Sequence, residues 1–187
     1  MMRKDFGAKP CLYPQPVLII GTYSEDGTPN AMNAAWGGIC GANKIMIDLS
    51  AHKTTDNILR NKEFTVSVAD ETHMIEADYV GIVSANKVPD KLEKAGLHTV
   101  KSKFVNAPII EEFPIALECR LLRATEDGIV GEILNASIDE RVLNEDGSLN
   151  TEKLGAISFD TLNAAYLKVG GKVGNAFADG RKLQGVD

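Results

Sequence analysis

The stretch that decides the fold is VLIIGTYSEDGTPNAMNAAW, residues 17–36. It begins with an apolar run rich in β-formers (17–23), continues through the turn cluster SEDGTPN (24–30), and returns to a second β-type run (31–40). An Asp-Gly pair between two such runs is typical of a tight turn that joins antiparallel strands. The stretch therefore predicts that the chain opens with a β-hairpin.

The rest of the first half alternates between β-type and helical patterns. KIMIDLS (44–50) predicts a third strand, so the first fifty residues form a meander, and EFTVSVA (63–69) predicts another strand. TTDNILRN (54–61) predicts a short helix with Thr54 or Thr55 as its N-cap. Apolar spacing over 72–84 predicts a second helix, and PDKLEKAG (89–96) predicts a helical turn that ends at Gly96.

The second half is again of β type. FPIALECRLLRAT and GIVGEILNASI flank the Glu-Asp-Gly triplet at 126–128, which predicts a hairpin. AAYLKV predicts a short strand before a glycine-rich tail, 171–187. No regular β-α-β alternation is present, and G-x-G-x-x-G does not follow the first strand, which disfavours a Rossmann fold. We expect one mainly β domain over residues 1–187, an antiparallel barrel with helical excursions and a core from about 14 to 170.

Composition excludes several function classes. The formal net charge of −6 and the pI near 5.1 argue against nucleic-acid binding, which rewards surplus Lys and Arg. No apolar run approaches the roughly 20 residues of a membrane span. The N-terminus lacks the apolar region of a signal peptide, so we expect a cytoplasmic protein.

Cysteine and histidine usage gives no metal signature. Three cysteines lie far apart, and the three histidines fall at no zinc-like spacing, so we expect reduced thiols and no metal site. We interpret Cys40 as a small buried thiol. We expect His73 and His98 to be surface or helix residues rather than catalytic ones.

The turn SAHKTTDNI (50–58) has the composition of an anion site. A helix start leaves backbone N–H groups unpaired and carries a partial positive charge. Ser50, Thr54 and Thr55 add hydroxyl groups, Lys53 adds charge, and His52 is a second candidate cation. A terminal phosphate would find donors on several sides. The alternative is that a threonine merely caps the helix and Lys53 is a solvated surface charge.

The strand NAMNAAW (30–36) contains small residues beside the chain's one tryptophan. Such a strand offers a flat ledge for a planar ring system that accepts hydrogen bonds from backbone N–H groups. The alternative is that Trp36 is a core aromatic residue and Ala34 and Ala35 are packing spacers.

Three motifs in order carry a resemblance to a known family. The chain resembles the flavin reductase-like family, and in particular its flavoredoxin branch, in the motifs GTYSEDGTPNAMNAAW, SAHKTTDNI and YVGIVSANKVPDKLEKAG. The match runs from about Pro14 to Tyr166. The resemblance implies an FMN-binding split β-barrel, antiparallel and Greek-key-like. It also implies a homodimer with the flavin near the place where two barrels meet.

The resemblance also assigns site residues. On the strand against the flavin ring it places Asn30, Asn33, Ala34, Ala35 and Trp36. On the turn around the phosphate and ribityl end it places Ser50, His52, Lys53, Thr54, Thr55 and Asn57. It places Ser84 and Lys91 near the ring or phosphate, and Tyr166 where an aromatic residue meets the flavin. Family members often carry Arg in the turn, whereas this chain has His52 and Lys53. Lysine lacks the bidentate fork of arginine, so we expect a somewhat weaker grip on phosphate.

The function implied is that of an FMN-dependent oxidoreductase which passes hydride or electrons from NAD(P)H to a flavin or a protein acceptor. Two alternatives stay open: a flavoredoxin-like carrier that receives electrons from a protein donor, and a binding module for flavin or another anionic ligand without redox work. The redox chemistry belongs to the flavin, and no acid–base pair is required. We therefore assign no catalytic side chain.

Overall fold

The computed structural model describes residues 2–184, which contain twelve β-strands, four α-helices and two 3-10 helices. The strands are β1 Gln15–Pro16, β2 Leu18–Tyr23, β3 Pro29–Ala34, β4 Gly37–Gly41, β5 Lys44–Ile47, β6 Glu63–Val68, β7 Thr99–Lys101, β8 Pro108–Ile110, β9 Ile115–Thr125, β10 Gly128–Ile138, β11 Ile157–Asp160 and β12 Ala165–Lys168. The helices are α1 Lys53–Asn61, α2 Met74–Ile82, α3 Lys91–Lys94 and α4 Thr151–Leu154, and the 3-10 helices are Glu140–Val142 and Asp179–Gln184.

A seven-stranded antiparallel sheet forms the frame, in the order β3-β2-β6-β9-β10-β5-β4. Its long hairpin β9–β10 has register shifts between Val130 and Gly131 and between Ile133 and Asn135. Such irregularities increase local twist and bend the strands, and here the sheet curls into a half-barrel. A smaller sheet, β1-β11-β12, carries the last strand of residues 2–184. The prediction of a mainly β, split-barrel fold is confirmed.

The opening hairpin has the predicted form. β2 and β3 pair antiparallel from Leu18–Ala34 to Tyr23–Pro29. The apolar run is buried on both faces, because Val17 and Ile19 enter one hydrophobic cluster while Leu18 and Ile20 enter the other. Alternate side chains of a strand point to opposite faces, so a continuous apolar run is what a strand between two cores requires.

The predictions of a three-strand meander and of a single strand over residues 31–40 are wrong. β3 ends at Ala34 and β4 begins at Gly37, and these two strands are the opposite edges of the large sheet. The chain leaves one edge at Ala35 and Trp36, where the carbonyl of Trp36 accepts the N–H of Asp48 at 2.8 Å. A Cβ at Gly37 would lie 2.9 Å from the carbonyl oxygen of Met46, so glycine permits the new pairing with β5.

Helix α1 begins one residue earlier than predicted, and its N-cap is His52, whose side chain makes no capping bond. The prediction that Thr54 or Thr55 caps this helix is therefore wrong. Thr54 is turned inward and buried, and the Thr55 hydroxyl donates to the Ser50 carbonyl at 2.7 Å. Lys62 ends the helix in the left-handed conformation, with φ of 62°.

Other local predictions have mixed outcomes. The hairpin around 126–128 is confirmed by the pairing of β9 with β10, and Gly96 follows α3 with φ of 68°. Cys40 is exposed, so its interpretation as a buried thiol is wrong; it lies on an edge strand in which three of five residues are glycine.

In residues 2–184 no helix is both long and apolar enough to cross a membrane. Residues 185–187 of the predicted tail lie outside the described residues.

A buried lysine joins α3 to the end of α2. Lys91 is 3% exposed, and its Nζ donates to the carbonyl groups of Val80 at 3.0 Å and Val83 at 2.9 Å. The last carbonyl groups of a helix lack intrahelical partners, so the ammonium group closes this helix end. Burial lowers the pKa of Lys91 to about 8, since desolvation disfavours the charged form.

This pKa predicts a specific pH dependence of stability. A lysine in the unfolded chain titrates near 10.5, so between pH 8 and 10.5 the unfolded state binds more protons and stability rises with pH. From pH 7 to pH 9.5, the free energy of unfolding of the wild type should rise by about 2 kcal/mol relative to that of Lys91→Met. Urea denaturation of both proteins measures this difference, and groups that both share cancel. Parallel pH profiles would contradict the assignment.

Candidate functional site

A buried polar network fixes the start of α1 against the opening hairpin. Asn30 Nδ2 on β3 donates to Thr54 Oγ1 at 2.8 Å, and Asn57 Nδ2 donates to Thr22 Oγ1 on β2 at 3.0 Å. All four side chains are at most 2% exposed. Each neutral hydrogen bond contributes about 1 kcal/mol, and loss of one partner would leave a buried group unsatisfied. The network therefore holds the turn 50–53 in one position.

A first cavity, of about 300 Å³, lies where β3 ends and is called the ledge cavity below. The end of β3, the turn after β5, helix α2 and the small sheet all contribute to its wall. Its lining residues are Met32, Asn33, Ala34, Ala35, Trp36, Asp48, Leu49, Ser50, His52, Asp78, Gly81, Ile82, Phe159 and Tyr166. Trp36 is 45% exposed, so it is not a core residue and presents aromatic surface at this wall.

A hydrogen-bonded pair projects polar groups into the ledge cavity. The hydroxyl of Tyr166 on β12 donates to Asp78 Oδ1 on α2 at 2.8 Å. Burial first, and then this bond, raise the pKa of Tyr166 to about 12, so the phenol keeps its proton over the physiological range. Asn33 Nδ2 donates to the carbonyl of Ala77 at 3.0 Å, which ties β3 to the same helix.

Helix α2 lies close to β3 because Gly81 lacks a side chain. A Cβ at this position would lie 2.9 Å from the Cβ of Asn33, closer than real contacts allow. Because Gly81 has no side chain, α2 can lie close to β3 and form a wall of the ledge cavity.

A second cavity, of about 490 Å³, lies beside the start of α1 and is called the lysine cavity below. The two cavities flank this helix start, since His52 lines the first and Lys53 lines the second. The lining residues of the lysine cavity are Ser24, Glu25, Asp26, Thr28, Pro29, Asn30, Lys53, Ala85, Asn86 and Pro89. Within residues 2–184, the buried Asn30 Oδ1 has no hydrogen-bond partner, so an acceptor there is free for a hydroxyl donor.

The charge in the lysine cavity is mixed. Glu25 and Asp26 line it together with Lys53. The pKa of Asp26 is lowered, mainly because the carboxylate accepts the N–H of Thr28 and to a smaller extent because Lys53 is near. The positive potential for an anion must therefore come from Lys53 and the first N–H groups of α1 together.

The predicted site residues separate into three groups. Asn33, Ala34, Ala35, Trp36, Ser50, His52 and Tyr166 line the ledge cavity, and Asn30 and Lys53 line the lysine cavity. The other five contribute no lining to either: they are Thr54, Thr55, Asn57, Ser84 and Lys91. Thr54 and Asn57 support the turn through buried hydrogen bonds, and Lys91 donates to the carbonyl groups at the end of α2.

Sequence reasoning missed seven of the fourteen residues that line the ledge cavity, among them Asp78 and Phe159. Asp78 lies in the helical pattern 72–84, where an isolated carboxylate reads as a solvated helix residue. Phe159 lies on β11, and its ring packs against that of Tyr166 with centroids 5.9 Å apart. A usable signal was that Asp78 and Gly81 are one turn apart, so both face the same side of α2.

Comparison with known proteins identifies the family. The model of the flavin reductase like domain matches residues 11–156. Among solved structures, flavoredoxin of Desulfovibrio vulgaris (Miyazaki F) is 35% identical, with a TM-score of 0.92 over 96% of this chain and 100% of that one. Flavoredoxin from Methanosarcina acetivorans is 26% identical, with a TM-score of 0.87 over 98% of this chain and 100% of that one.

A relative from Bacillus subtilis (strain 168), the uncharacterized protein YwrF, is 29% identical over 161 residues, or 75% of this chain and 77% of that one. The match to the domain model spans more than three quarters of the 187 residues and includes β1 to α4. The resemblance noted from the three sequence motifs is thereby confirmed. The chain belongs to the flavin reductase-like family.

Proposed function

We propose that this chain is an FMN-binding oxidoreductase that holds the flavin ring in the ledge cavity and the phosphate in the lysine cavity. The observation that carries the proposal is that the two cavities flank the start of α1, where His52 and Lys53 line one cavity each. FMN has one planar aromatic end and one dianionic end, and the two cavities offer an aromatic ledge and a cation to match them. The FMN cofactor itself follows from the family and from this donor set.

The donors and acceptors of both cavities fit the parts of FMN. Small residues from Asn33 to Ala35 leave backbone N–H groups accessible to ring acceptors, and Trp36 supplies an aromatic face. The orphaned Asn30 Oδ1 is an acceptor for a ribityl hydroxyl group. Lys53 and the helix N–H groups are donors for phosphate oxygens.

When bound, FMN supplies the transfer of hydride or single electrons. The chain's own residues position the ring and exclude water from it. Tyr166 holds its proton on the phenolic oxygen beside the Asp78 carboxylate. The carboxylate disfavours negative charge elsewhere in the ledge cavity, so we expect Asp78 to oppose the accumulation of anionic species there.

Two electron routes remain within this proposal. In the first, NAD(P)H delivers hydride, as the reductase-like family suggests. In the second, a protein donor delivers electrons, a route supported by the likeness to proteins named flavoredoxin. We favour the first route, with a flavin or protein as the acceptor, in a cytoplasmic homodimer. A module that merely stores flavin is the alternative from another class.

Trp36 provides a direct test of FMN binding. It is the only tryptophan of the chain and lines the ledge cavity, so a bound flavin should quench its fluorescence by more than half. Titration with FMN should saturate, whereas riboflavin should need at least about tenfold higher concentrations because it lacks the phosphate and its charge-assisted hydrogen bonds. Equal midpoints for the two ligands would remove the phosphate from the lysine cavity. Unquenched emission would overturn the FMN proposal.

Lys53→Ala should weaken FMN binding about tenfold and leave the riboflavin midpoint unchanged, since the charge-assisted bond to phosphate is worth about 1.5 kcal/mol. The same fluorescence titration measures both midpoints. Lys103→Ala is the matched control, because it removes an exposed lysine that lines neither cavity. A similar loss in both variants would indicate a general effect of charge rather than a contact.

Anaerobic mixing separates the electron routes. NADH or NADPH should bleach the flavin band near ~450 nm of the FMN-loaded protein if nicotinamide is the donor. Dithionite reduces the flavin in any case and serves as the control. Bleaching by dithionite alone would favour the carrier route. No oxidation of the dithionite-reduced protein by added flavin or protein acceptors would favour the storage module.

A further inference from the structure

The last sixteen residues that the structure describes, 169–184, are all exposed and are called the arm below. It follows β12 directly, and its regular part is the 3-10 helix Asp179–Gln184. Its large apolar side chains face solvent, since Phe177 is 99% exposed and Leu183 is 93% exposed. Fully exposed phenylalanine and leucine on one segment are typical of a surface that another surface covers.

The arm is basic on an acidic protein. Residues 169–184 contain three cations and one anion, a formal charge of +2, whereas residues 1–168 contain 17 cations and 24 anions. The Nζ atom of Lys182 lies 4.0 Å from Oδ1 of Asp179. Within residues 2–184, the side chains of Lys172 and Arg181 form no ion pair, so these two cations are free for a partner.

A groove with complementary chemistry lies on the body of the same chain. Its volume is about 640 Å³, and its floor is built from Pro29, Pro89, Leu92 and Leu97. Leu92 and Leu97 are buried members of a hydrophobic core cluster, so this part of the floor is packed against the core. An aromatic ring such as that of Phe177 is the kind of anchor such a floor accepts.

The rim of the groove is acidic. Asp90, Glu93 and Glu111 line it, and Asp90 is paired with Lys94 at 3.0 Å. In the described part of the chain, the carboxylates of Glu93 and Glu111 have neither hydrogen bond nor ion pair. His98, also on the rim, binds Glu112 through Nδ1 at 2.7 Å. The groove thus offers two free carboxylates, and the arm offers two free cations.

We propose that the arm of one molecule docks in this groove of a second copy of the same chain, with Phe177 on the apolar floor and Arg181 at Glu93 or Glu111. The arm does not occupy the groove of its own chain, because Phe177 and Leu183 are exposed. The arm is basic and the groove lies on an acidic body, so charge complementarity favours a second copy of this chain as the molecule that accepts the arm. The groove shares Thr28, Pro29 and Pro89 with the lysine cavity, so the docked arm borders that cavity in the partner.

Disulfide trapping between full-length chains tests this docking. In a Cys11→Ser, Cys40→Ser background, one population carries Ala176→Cys in the arm and a second, of different mass, carries Thr99→Cys at the groove. After mixing and mild oxidation, the species that joins one chain of each kind should form at least about fivefold more than with Glu145→Cys, an exposed loop position, in place of Thr99→Cys. Arg181→Glu should lower the yield at least about threefold. Glu93→Lys together with Glu111→Lys should restore the lost yield.

Three results would overturn the proposal. They are a mixed species no more abundant than with Glu145→Cys, a disulfide that forms only within one chain carrying both Ala176→Cys and Thr99→Cys, and a yield that Arg181→Glu leaves unchanged. The second result would assign the groove to the arm of its own chain. Trapping uses no flavin signal, so it can succeed or fail independently of the FMN proposal.

Discussion

The polar contacts between Asn30 and Thr54 and between Asn57 and Thr22 are the constraint on which the site depends. They are buried, so each requires its partner: water cannot replace a donor or acceptor there. They join the opening hairpin to a helix that starts about twenty residues later in the chain. Because the helix start is fixed to the strand, the two cavities beside it have fixed positions relative to each other. A ligand that spans both meets a preformed surface.

The double burial of the large sheet explains why the site lies where it does. β2 sends alternate side chains into two hydrophobic clusters, so the sheet needs cover on both faces. Helix α1 covers one face and α2 packs near the edge strand β3. Cavities form where the cover ends, and Gly81 lets α2 lie close to β3 at this margin because it has no side chain. The walls of the ledge cavity are therefore the margins of the core packing.

Local patterns predicted well those parts that local chemistry determines. Asp-Gly turns, apolar runs and the glycine after α3 specify hairpins, strands and a helix end without distant partners. The break at Ala35 and Trp36 was not predictable in this way, because it depends on β4 pairing with β5 at the far edge of the sheet. The sequence did not predict the roles of Thr54 and Lys91 for the same reason, because both depend on distant partners. A hydroxyl near a helix start resembles a cap, and a lysine resembles a surface charge, until the tertiary structure supplies Asn30 or two free carbonyl groups. The resemblance to the family found nine of the 24 residues that line the two cavities. It missed Asp78, whose partner Tyr166 lies on a strand about ninety residues later.

The composition of β4 has a consequence for the behaviour of the protein in a crowded solution. A sheet that curls without pairing its two edges leaves a row of backbone groups that could recruit the edge of another molecule and begin a polymer. Three glycines in five residues, together with the register shift between Ile39 and Gly41, make this edge short, irregular and poor at imposing an extended conformation on a neighbour. The barrel can therefore remain open for a ligand without becoming a template for aggregation.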